Sequence, residues 1–282
     1  MNELTLASVL KSSSAKLLDS DSALLDVQIL LAYVLDVNRS YFYTWPEKVI
    51  TPQQLETFEL LFSRRLAGEP IAYIIGQQEF WSLTFKVSPA TLIPRADTEV
   101  LVETVLNHIT QSHAKGIDLG TGTGAIALSL ANEMPKWSLL GIDYNDDAVL
   151  LAKENQQSLC INNVEFIQSS WLDNADDTWL SQCDFIVSNP PYIDKNDPHL
   201  AQGDVRFEPA SALIADNNGL QDYIDIMSSA KPFLKSGAYL LFEHGFEQAS
   251  AVSLLFESHG YSNISTVKDF SGNDRVTFAQ LV

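Results

Sequence analysis

Cysteine is nearly absent: only Cys160 and Cys183 occur in 282 residues. That is too few for a disulfide scaffold, and their separation is not that of a metal-ligand pair. Such usage fits a reducing compartment, so a cytoplasmic location is expected. The five histidines are scattered, with no H-E-x-x-H or comparable cluster, and no metal is expected. No apolar run approaches the roughly 20 residues that cross a bilayer. The N-terminus lacks a basic stretch followed by an apolar one, so no secretory signal is expected. Positive charge is also scarce, with 17 Lys+Arg against 36 Asp+Glu and a net charge of −19. The deficit is uneven, −3 over residues 1–75 and −16 over residues 76–282. A field of that sign repels nucleic-acid phosphates; it favours cationic ligands or basic partners, or serves solubility alone.

What is present is a core-forming composition, 46% apolar, which makes a folded chain the expectation rather than disorder. The first 75 residues read as helical. Leu24, Leu25, Val27, Leu31, Val34 and Leu35 recur at helical spacing within Ser22–Val37. Thr51-Pro52 opens a further helix through Leu55, Phe58, Leu61, Phe62 and Leu66, and Gly68 ends it. From Gly76 to Arg95 the pattern changes: Phe80, Leu83, Phe85, Val87, Leu92 and Ile93 read as a hairpin or two short strands around Ser88-Pro89. A helix over Asp97–Ile109 follows.

From Lys115 onward strands and helices alternate. Strands are expected at 116–119, 137–142, 164–168, 184–188 and 238–242, with helices at 125–133, 146–157, 223–234 and 246–258. Alternation of this kind implies a largely parallel sheet covered on both faces. The last two strands, 264–267 and 276–281, have no room for a crossover helix between them and should pair antiparallel. Three segments are therefore expected: a helical domain over 1–75, a hairpin connector over 76–95, and an α/β domain over 96–282.

Two loops at strand ends carry chemistry. Gly120-Thr121-Gly122-Thr123-Gly124 follows the first strand of the α/β domain and opens a helix, where glycines admit positive φ and close approach of a ligand. Asp143 ends the next strand, a place from which an acidic side chain accepts bonds from ribose hydroxyls in doubly wound folds. The pair points to an adenosine ligand without saying which. Ala125 leaves a G-x-G-x-x-A dinucleotide reading from Gly120 formally open. Asn189-Pro190-Pro191-Tyr192 ends the strand at 184–188. Two successive prolines lack N–H groups and fix φ, so they stop the strand in a stiff corner. The corner offers one amide side chain, one proline carbonyl and one aromatic ring.

Glycine loop, strand-end acid and N-P-P-Y corner together resemble the S-adenosylmethionine-dependent methyltransferases, whose ligand has no phosphate to cradle. In that group N-P-P-Y accompanies methyl transfer to planar nitrogens: adenine N6, cytosine N4 and the glutamine side-chain amide. An amide nitrogen is a poor nucleophile because its lone pair is delocalised. The Asn189 side-chain oxygen and the Pro190 carbonyl are the candidate catalytic acceptors for its N–H groups. They would aim the lone pair and stabilise charge as it develops, while Tyr192 would pack on the face of the planar group.

The remaining motifs narrow the resemblance. Gly68-Glu69-Pro70-Ile71-Ala72-Tyr73, Leu92-Ile93-Pro94-Arg95 and Thr98-Glu99, in that order, resemble the HemK/PrmC family of protein-(glutamine-N5) methyltransferases over nearly the whole chain. Ala96 stands where the family usually has proline. The resemblance implies a Rossmann-like class I methyltransferase fold, a seven-stranded mostly parallel sheet with an antiparallel last strand, preceded by a small helical substrate-recognition domain. It implies that Gly120, Thr121, Gly122, Thr123, Gly124, Asp143, Trp171 and Asn189 contact S-adenosyl-L-methionine, leaving S-adenosyl-L-homocysteine as product. Asn189, Pro190, Pro191 and Tyr192 would hold the glutamine of the Gly-Gly-Gln motif of class 1 peptide chain release factors. No direct nucleic-acid partner, no membrane association and a monomer are expected. The alternatives are a ribosomal protein glutamine N5-methyltransferase, which shares these motifs, and a DNA adenine-N6 methyltransferase, which would need a basic groove this chain lacks.

Overall fold

The computed structural model describes residues 4–18 and 20–282. They form two compact units, the described residues up to Gly76 and those from Gln77 to Val282.

The first unit holds α1 (Leu6–Ser14), α2 (Ala23–Leu35), α3 (Tyr41–Thr44), α4 (Pro52–Leu66) and α5 (Ile71–Ile75). Helix α4 starts as its sequence dictates. The Thr51 hydroxyl accepts the Gln54 N–H, and the Gln54 side chain reaches back to the Thr51 N–H, a reciprocal cap worth about 1 kcal/mol. Leu6, Val9, Val27, Leu30, Leu31, Phe58 and Phe62 form the core, with Phe58 and Phe62 stacked one turn apart. Asp26 on α2 is buried, which only a partner makes tolerable. Arg65 of α4 supplies it at 2.9 Å, and the Ser20 and Ser22 hydroxyls add bonds at 2.9 and 2.8 Å. The Gly-Glu-Pro run is a corner: Gly68 turns at φ 90°, Glu69 accepts from Arg64 Nε at 2.8 Å, and α5 follows Pro70.

The second unit opens with a hairpin, β1 (Gln77–Phe80) and β2 (Leu83–Lys86). Its turn is Trp81-Ser82, both at positive φ (51° and 60°), as a two-residue hairpin turn requires. The expected strands around Ser88-Pro89 are thus displaced toward the N-terminus, and Leu92-Ile93 is not a strand. Ser88-Pro89 ends the pairing because proline cannot donate to the ladder. Helix α6 (Glu99–His108) leads to β3 (Lys115–Leu119), α7 (Ala125–Glu133), β4 (Ser138–Asp143), α8 (Asp146–Leu159), β5 (Val164–Gln168) and β6 (Cys183–Ser188). After the proline corner come one-turn α9 (Asp216–Gly219), α10 (Gln221–Ala230), β7 (Leu234–Glu243), α11 (Ala249–Ser258), β8 (Tyr261–Lys268) and β9 (Asp274–Leu281). Helix α10 ends at Ala230, four residues before the expected Leu234, and Leu234 already pairs with Cys183 as the first residue of β7.

These strands form one seven-stranded sheet in the order β5-β4-β3-β6-β7-β9-β8. All pairings are parallel except those of β9, which runs antiparallel to both β7 and β8, as the short final connection demands. The fully buried side chains of β6 are the mark of a central parallel strand covered on both faces. One core layer, including Phe85, Val105, Leu128, Trp137 and Phe185, lies under α6, α7 and the hairpin. The other, including Ile117, Ile186, Tyr223, Met227 and Phe256, lies under α10 and α11. Strand order reverses between β3 and β6. Their ends are level, Leu119 pairing with Ser188, so the loops that leave them diverge and open a crevice.

Candidate active site

The crevice is a cavity of about 320 Å³, the size range of a small-molecule site. The glycine loop forms one wall. The N–H groups of Gly120 and Thr121 both donate to the Ile142 carbonyl at 2.9 Å, which pins the loop to the end of β4. Gly120 turns at φ 71°, and a Cβ there would lie 3.9 Å from both the Asn189 carbonyl oxygen and the Trp171 ring. The three segments that the sequence singled out therefore meet at one glycine.

Asp143 closes the next wall. Its Oδ2 accepts the Gly122 N–H at 2.8 Å and its Oδ1 accepts the Asn145 N–H at 2.9 Å. Burial pushes this carboxyl above the usual carboxylate range, while the N–H groups of Asn145, Gly122 and Tyr144 pull it back. Each oxygen keeps a lone pair for a ligand hydroxyl. Trp171, in the left-handed region at φ 43°, lines the cavity together with Ile142, Tyr144 and Ala148, a mainly apolar slot for a flat ring.

Of the candidate residues, Gly120, Thr121, Gly122, Thr123, Asp143, Trp171, Asn189 and Pro191 line the cavity. Gly124, Pro190 and Tyr192 do not. Gly124 is the left-handed residue that starts α7, packed so closely that a Cβ would meet Leu128, Phe166 and Ala152 at 3.0, 3.1 and 3.2 Å. Pro190 is buried between two lining residues. Tyr192 was expected against a ligand but packs onto the core under α10 and α11, and its carbonyl accepts from Gln248 Nε2 at 3.0 Å. Burial raises its hydroxyl well above the usual tyrosine value.

Sequence reasoning missed a second tier. Asp118, mid-strand in β3, accepts the Thr121 hydroxyl at 2.6 Å and the Ala127 N–H at 3.2 Å, both on Oδ2. Burial pushes its carboxyl up to about 7. A charged residue inside a buried parallel strand was the available signal. Asn155, fully buried on α8, accepts the Lys86 N–H at 2.7 Å and donates to the Lys86 and Thr123 carbonyls at 3.1 and 2.9 Å, tying the hairpin to the glycine loop. Arg95 lines the cavity and pairs with buried Glu208 at 2.6 Å. The Ile-Pro-Arg segment is thereby clamped to the loop after the proline corner. Asn189 Nδ2 donates to the Thr98 hydroxyl at 3.3 Å.

The electrostatics do not favour a phosphate cradle. The charged residues lining the cavity are Asp143, Asp222 and Arg95, and Arg95 is already paired. Burial pushes the Asp222 carboxyl up to about 6, with Asp225 and Asp216 adding to the effect. A pyrophosphate would face two acids and no free cation, whereas a ribose joined to a cationic centre meets acceptors of the right sign. The residues present thus fit an adenosyl sulfonium ligand better than a dinucleotide. Among the described residues there is no cluster able to hold a metal ion, and no helix is long and apolar enough to cross a membrane.

Comparison with known proteins agrees with this geometry. Residues 8–76 match the family model of the PrmC N-terminal domain, and residues 95–220 match that of the methyltransferase small domain. In fold, the chain is similar to a methyltransferase from Pyrococcus furiosus (TM-score 0.54, 16% identity, 77% of this chain and 95% of that one). It is also similar to the hMettl16 catalytic domain (TM-score 0.57, 16% identity, 78% and 81%). In sequence it is 54% identical over 281 residues to the release factor glutamine methyltransferase of Aliivibrio fischeri, covering 99% of this chain and 98% of the relative. The proteins so named from Pseudomonas aeruginosa and Escherichia coli are 46% and 44% identical, with at least 96% of each chain covered. Identity of that degree along both units leaves no segment outside the comparison, and this chain belongs to the release factor glutamine methyltransferase family.

Proposed function

We propose that this chain transfers a methyl group from S-adenosylmethionine to the side-chain amide nitrogen of the glutamine in the Gly-Gly-Gln motif of class 1 peptide chain release factors. The observation that carries the reading is the junction at Gly120, where the glycine loop, Trp171 and the Asn189 backbone converge at the strand-order switch. The cofactor supplies an electrophilic methyl carbon on a sulfonium. Asp143 would accept from the ribose, Trp171 would flank the adenine, and Gly120 and Gly122 would let the ligand lie against the backbone. Gly124 acts behind the wall by setting the direction of α7.

Asn189 Oδ1, together with the carbonyl of Pro190, a residue buried between the cavity-lining Asn189 and Pro191, would accept the N–H groups of the glutamine amide. That holds the amide plane so that its nitrogen faces the methyl carbon in line with the bond that breaks. Pro191 forms the wall beside it, and Tyr192 holds the corner from behind. As the amide nitrogen takes the methyl group and the sulfonium leaves as the neutral thioether of S-adenosylhomocysteine, charge grows on nitrogen, and both oxygens would stabilise it more strongly than in the ground state. The released proton passes to solvent, so no strong base is required. The small residues that precede the target glutamine suit a narrow entrance. Residues 1–76 are assigned to recognition of the release factor body. The enzyme works as a monomer in the cytoplasm, where translation terminates.

The test is incubation of the full chain with labelled cofactor and, separately, a release factor, a ribosomal protein and adenine-containing DNA, followed by peptide or nucleoside mapping. Label on the Gly-Gly-Gln glutamine alone is the expected result. Label on either other acceptor, with the release factor untouched, overturns the assignment.

A further inference from the structure

We propose that Asp222 is a substrate-binding residue whose carboxylate accepts a main-chain N–H of the peptide that carries the target glutamine. The inference rests on the function proposed above and deepens it by naming what holds the peptide beside its reacting side chain. Asp222 stands in the first turn of α10 and lines the cavity together with Asn189 and Pro191. The turn before α10 sets its place beside the proline corner. Asn217, Asn218 and Gly219 are left-handed in succession, at φ 56°, 55° and 79°, a conformation that asparagine and glycine tolerate best. A Cβ on Gly219 would lie 2.2 Å from the Tyr192 carbonyl oxygen, so the turn reaches the corner only because glycine stands there. On the same corner the Ile193 N–H donates to the Leu213 carbonyl at 2.9 Å, and the Ala215 N–H to the Ile193 carbonyl at 3.0 Å. The acceptor end of the cavity is thereby walled by the corner, by Ala212 and Ile214, and by Asp222.

An acid in the first turn of a helix is ordinary, because it favours the helix dipole. The dipole does not account for how the three acids around this turn are partnered. Asp216 faces Lys195 at 3.8 Å, and Asp225 accepts from Gln221 Nε2 at 2.9 Å. Asp222, partly buried, has no hydrogen bond or ion pair among the described residues, and both neighbouring acids repel it. A carboxylate withdrawn from water without a partner is costly, and a donor that arrives with the ligand removes that cost. The rest of the wall selects the donor. Arg95 also lines the cavity, and among the described residues its guanidinium makes a single hydrogen bond, from Nη2 to Glu208 at 2.6 Å. The cavity thus presents spare N–H groups on Arg95 and an unpartnered carboxylate on Asp222. A peptide main chain brings one C=O and one N–H per residue and satisfies both. A phosphate would be repelled by Asp222, and a simple cation by Arg95. Main-chain contacts are also the only polar contacts that a glycine can make, so they are the means of reading the residues that precede the glutamine.

The experiment compares wild type, Asp222→Ala and Asp222→Asn as full chains. It measures kcat/KM for a release factor and for short Gly-Gly-Gln peptides, and cofactor Kd by calorimetry. Two of the peptides carry an ester oxygen in place of one glycine N–H, which removes the donor and keeps the shape. Asp222→Ala should lower kcat/KM about 10- to 100-fold on the release factor and on the all-amide peptide, with cofactor Kd changed less than about threefold. Asp222→Asn, which keeps an acceptor oxygen without the charge, should fall in between. Wild type should lose a comparable factor on one of the two ester peptides, and Asp222→Ala should lose less than about threefold more on that peptide, because the two changes remove the same bond. Near wild-type kcat/KM in Asp222→Ala would overturn the proposal, as would losses from variant and ester that multiply. A loss of cofactor affinity equal to the loss in kcat/KM would overturn it too, assigning the acid to the ammonium of the cofactor instead. In these three cases wild type still methylates the glutamine, so the function proposed above stands. A wild-type chain inert on both the release factor and the peptide would refute that function, and this inference with it.

Discussion

Replacing Asp143 by alanine should separate cofactor binding from the integrity of the fold. In the structure the carboxylate serves the protein first: it accepts Gly122 N–H at 2.8 Å and Asn145 N–H at 2.9 Å. Hydrogen bonds to a charged group contribute about 1.5–3 kcal/mol each. Their loss unpins the glycine loop at Gly122, although the bonds of Gly120 and Thr121 to the Ile142 carbonyl still anchor its start. The same carboxylate is the acceptor placed for ribose hydroxyls, worth roughly 2–3 kcal/mol more. Ribose contact alone predicts a cofactor Kd weaker by about 30- to 150-fold, and the loosened loop raises that further. Asp143→Asn should fall in between, because one of its two ends still accepts while the other faces an N–H as a donor. Calorimetric titration with S-adenosylmethionine gives the Kd, and thermal unfolding without ligand reports the loop term. If Asp143→Ala bound the cofactor within about threefold of wild type, the ribose assignment would be refuted. If it melted early and bound normally once folded, the carboxylate would be structural only.

Asn189→Ala should reduce methyl transfer at least about 100-fold while leaving cofactor affinity mostly in place; a near wild-type rate in a single-turnover assay would remove Asn189 from the acceptor site. Gly124→Ala should destabilise the chain by about 2–4 kcal/mol, since the new Cβ meets a left-handed backbone and the packed Leu128, Phe166 and Ala152. Thermal unfolding measures this, and an unchanged Tm would mean the turn relaxes freely. The Glu243 carboxyl is raised from 4.5 to about 7 on folding, mainly by burial. Its proton is bound more tightly in the folded state, so its stabilising contribution is full below about pH 4.5 and disappears as pH rises through about 7, some 3 kcal/mol in all. Glu243→Gln should therefore show a shallower fall in stability across that window, though not a flat one, because Asp118 is shifted in the same direction. Denaturant midpoints at several pH values check this, and parallel wild-type and variant curves would contradict it.

Much of this architecture was legible because its signals are local. The Thr51-Pro52 start, the glycine loop and the Pro190-Pro191 corner are statements about φ and about missing N–H groups within a few residues, and each holds in the structure. The parallel strands announced themselves by short apolar segments alternating with helical ones, and β9 by the shortness of its connection to β8. The hairpin was harder to place. Trp81-Ser82 is not a glycine or asparagine pair, so nothing in it advertises positive φ, and Ser88-Pro89 drew attention instead. The end of α10 differs from the expectation because Phe233 and Leu234 are as apolar as the helix before them, yet Phe233 lies in a turn and Leu234 pairs with Cys183 as the first residue of β7.

What the amino-acid sequence determined alone was which segments turn, which run straight, and which chemical groups stand at the strand ends. Those choices depend on steric and hydrogen-bonding preferences within a few residues, and they sufficed to point to an adenosine ligand and a planar nitrogen. Only the tertiary structure decided which of those groups work together. Asn189 meets Thr98 across 91 positions, and the hairpin reaches α8 and the glycine loop through Asn155, because sheet order and not chain order sets their distance. The same packing moved Tyr192 and Gly124 behind the wall and buried Asp118 and Glu243 in it. Burial is a property of the assembled core, and a carboxylate acquires its raised proton affinity only when water has been removed from around it.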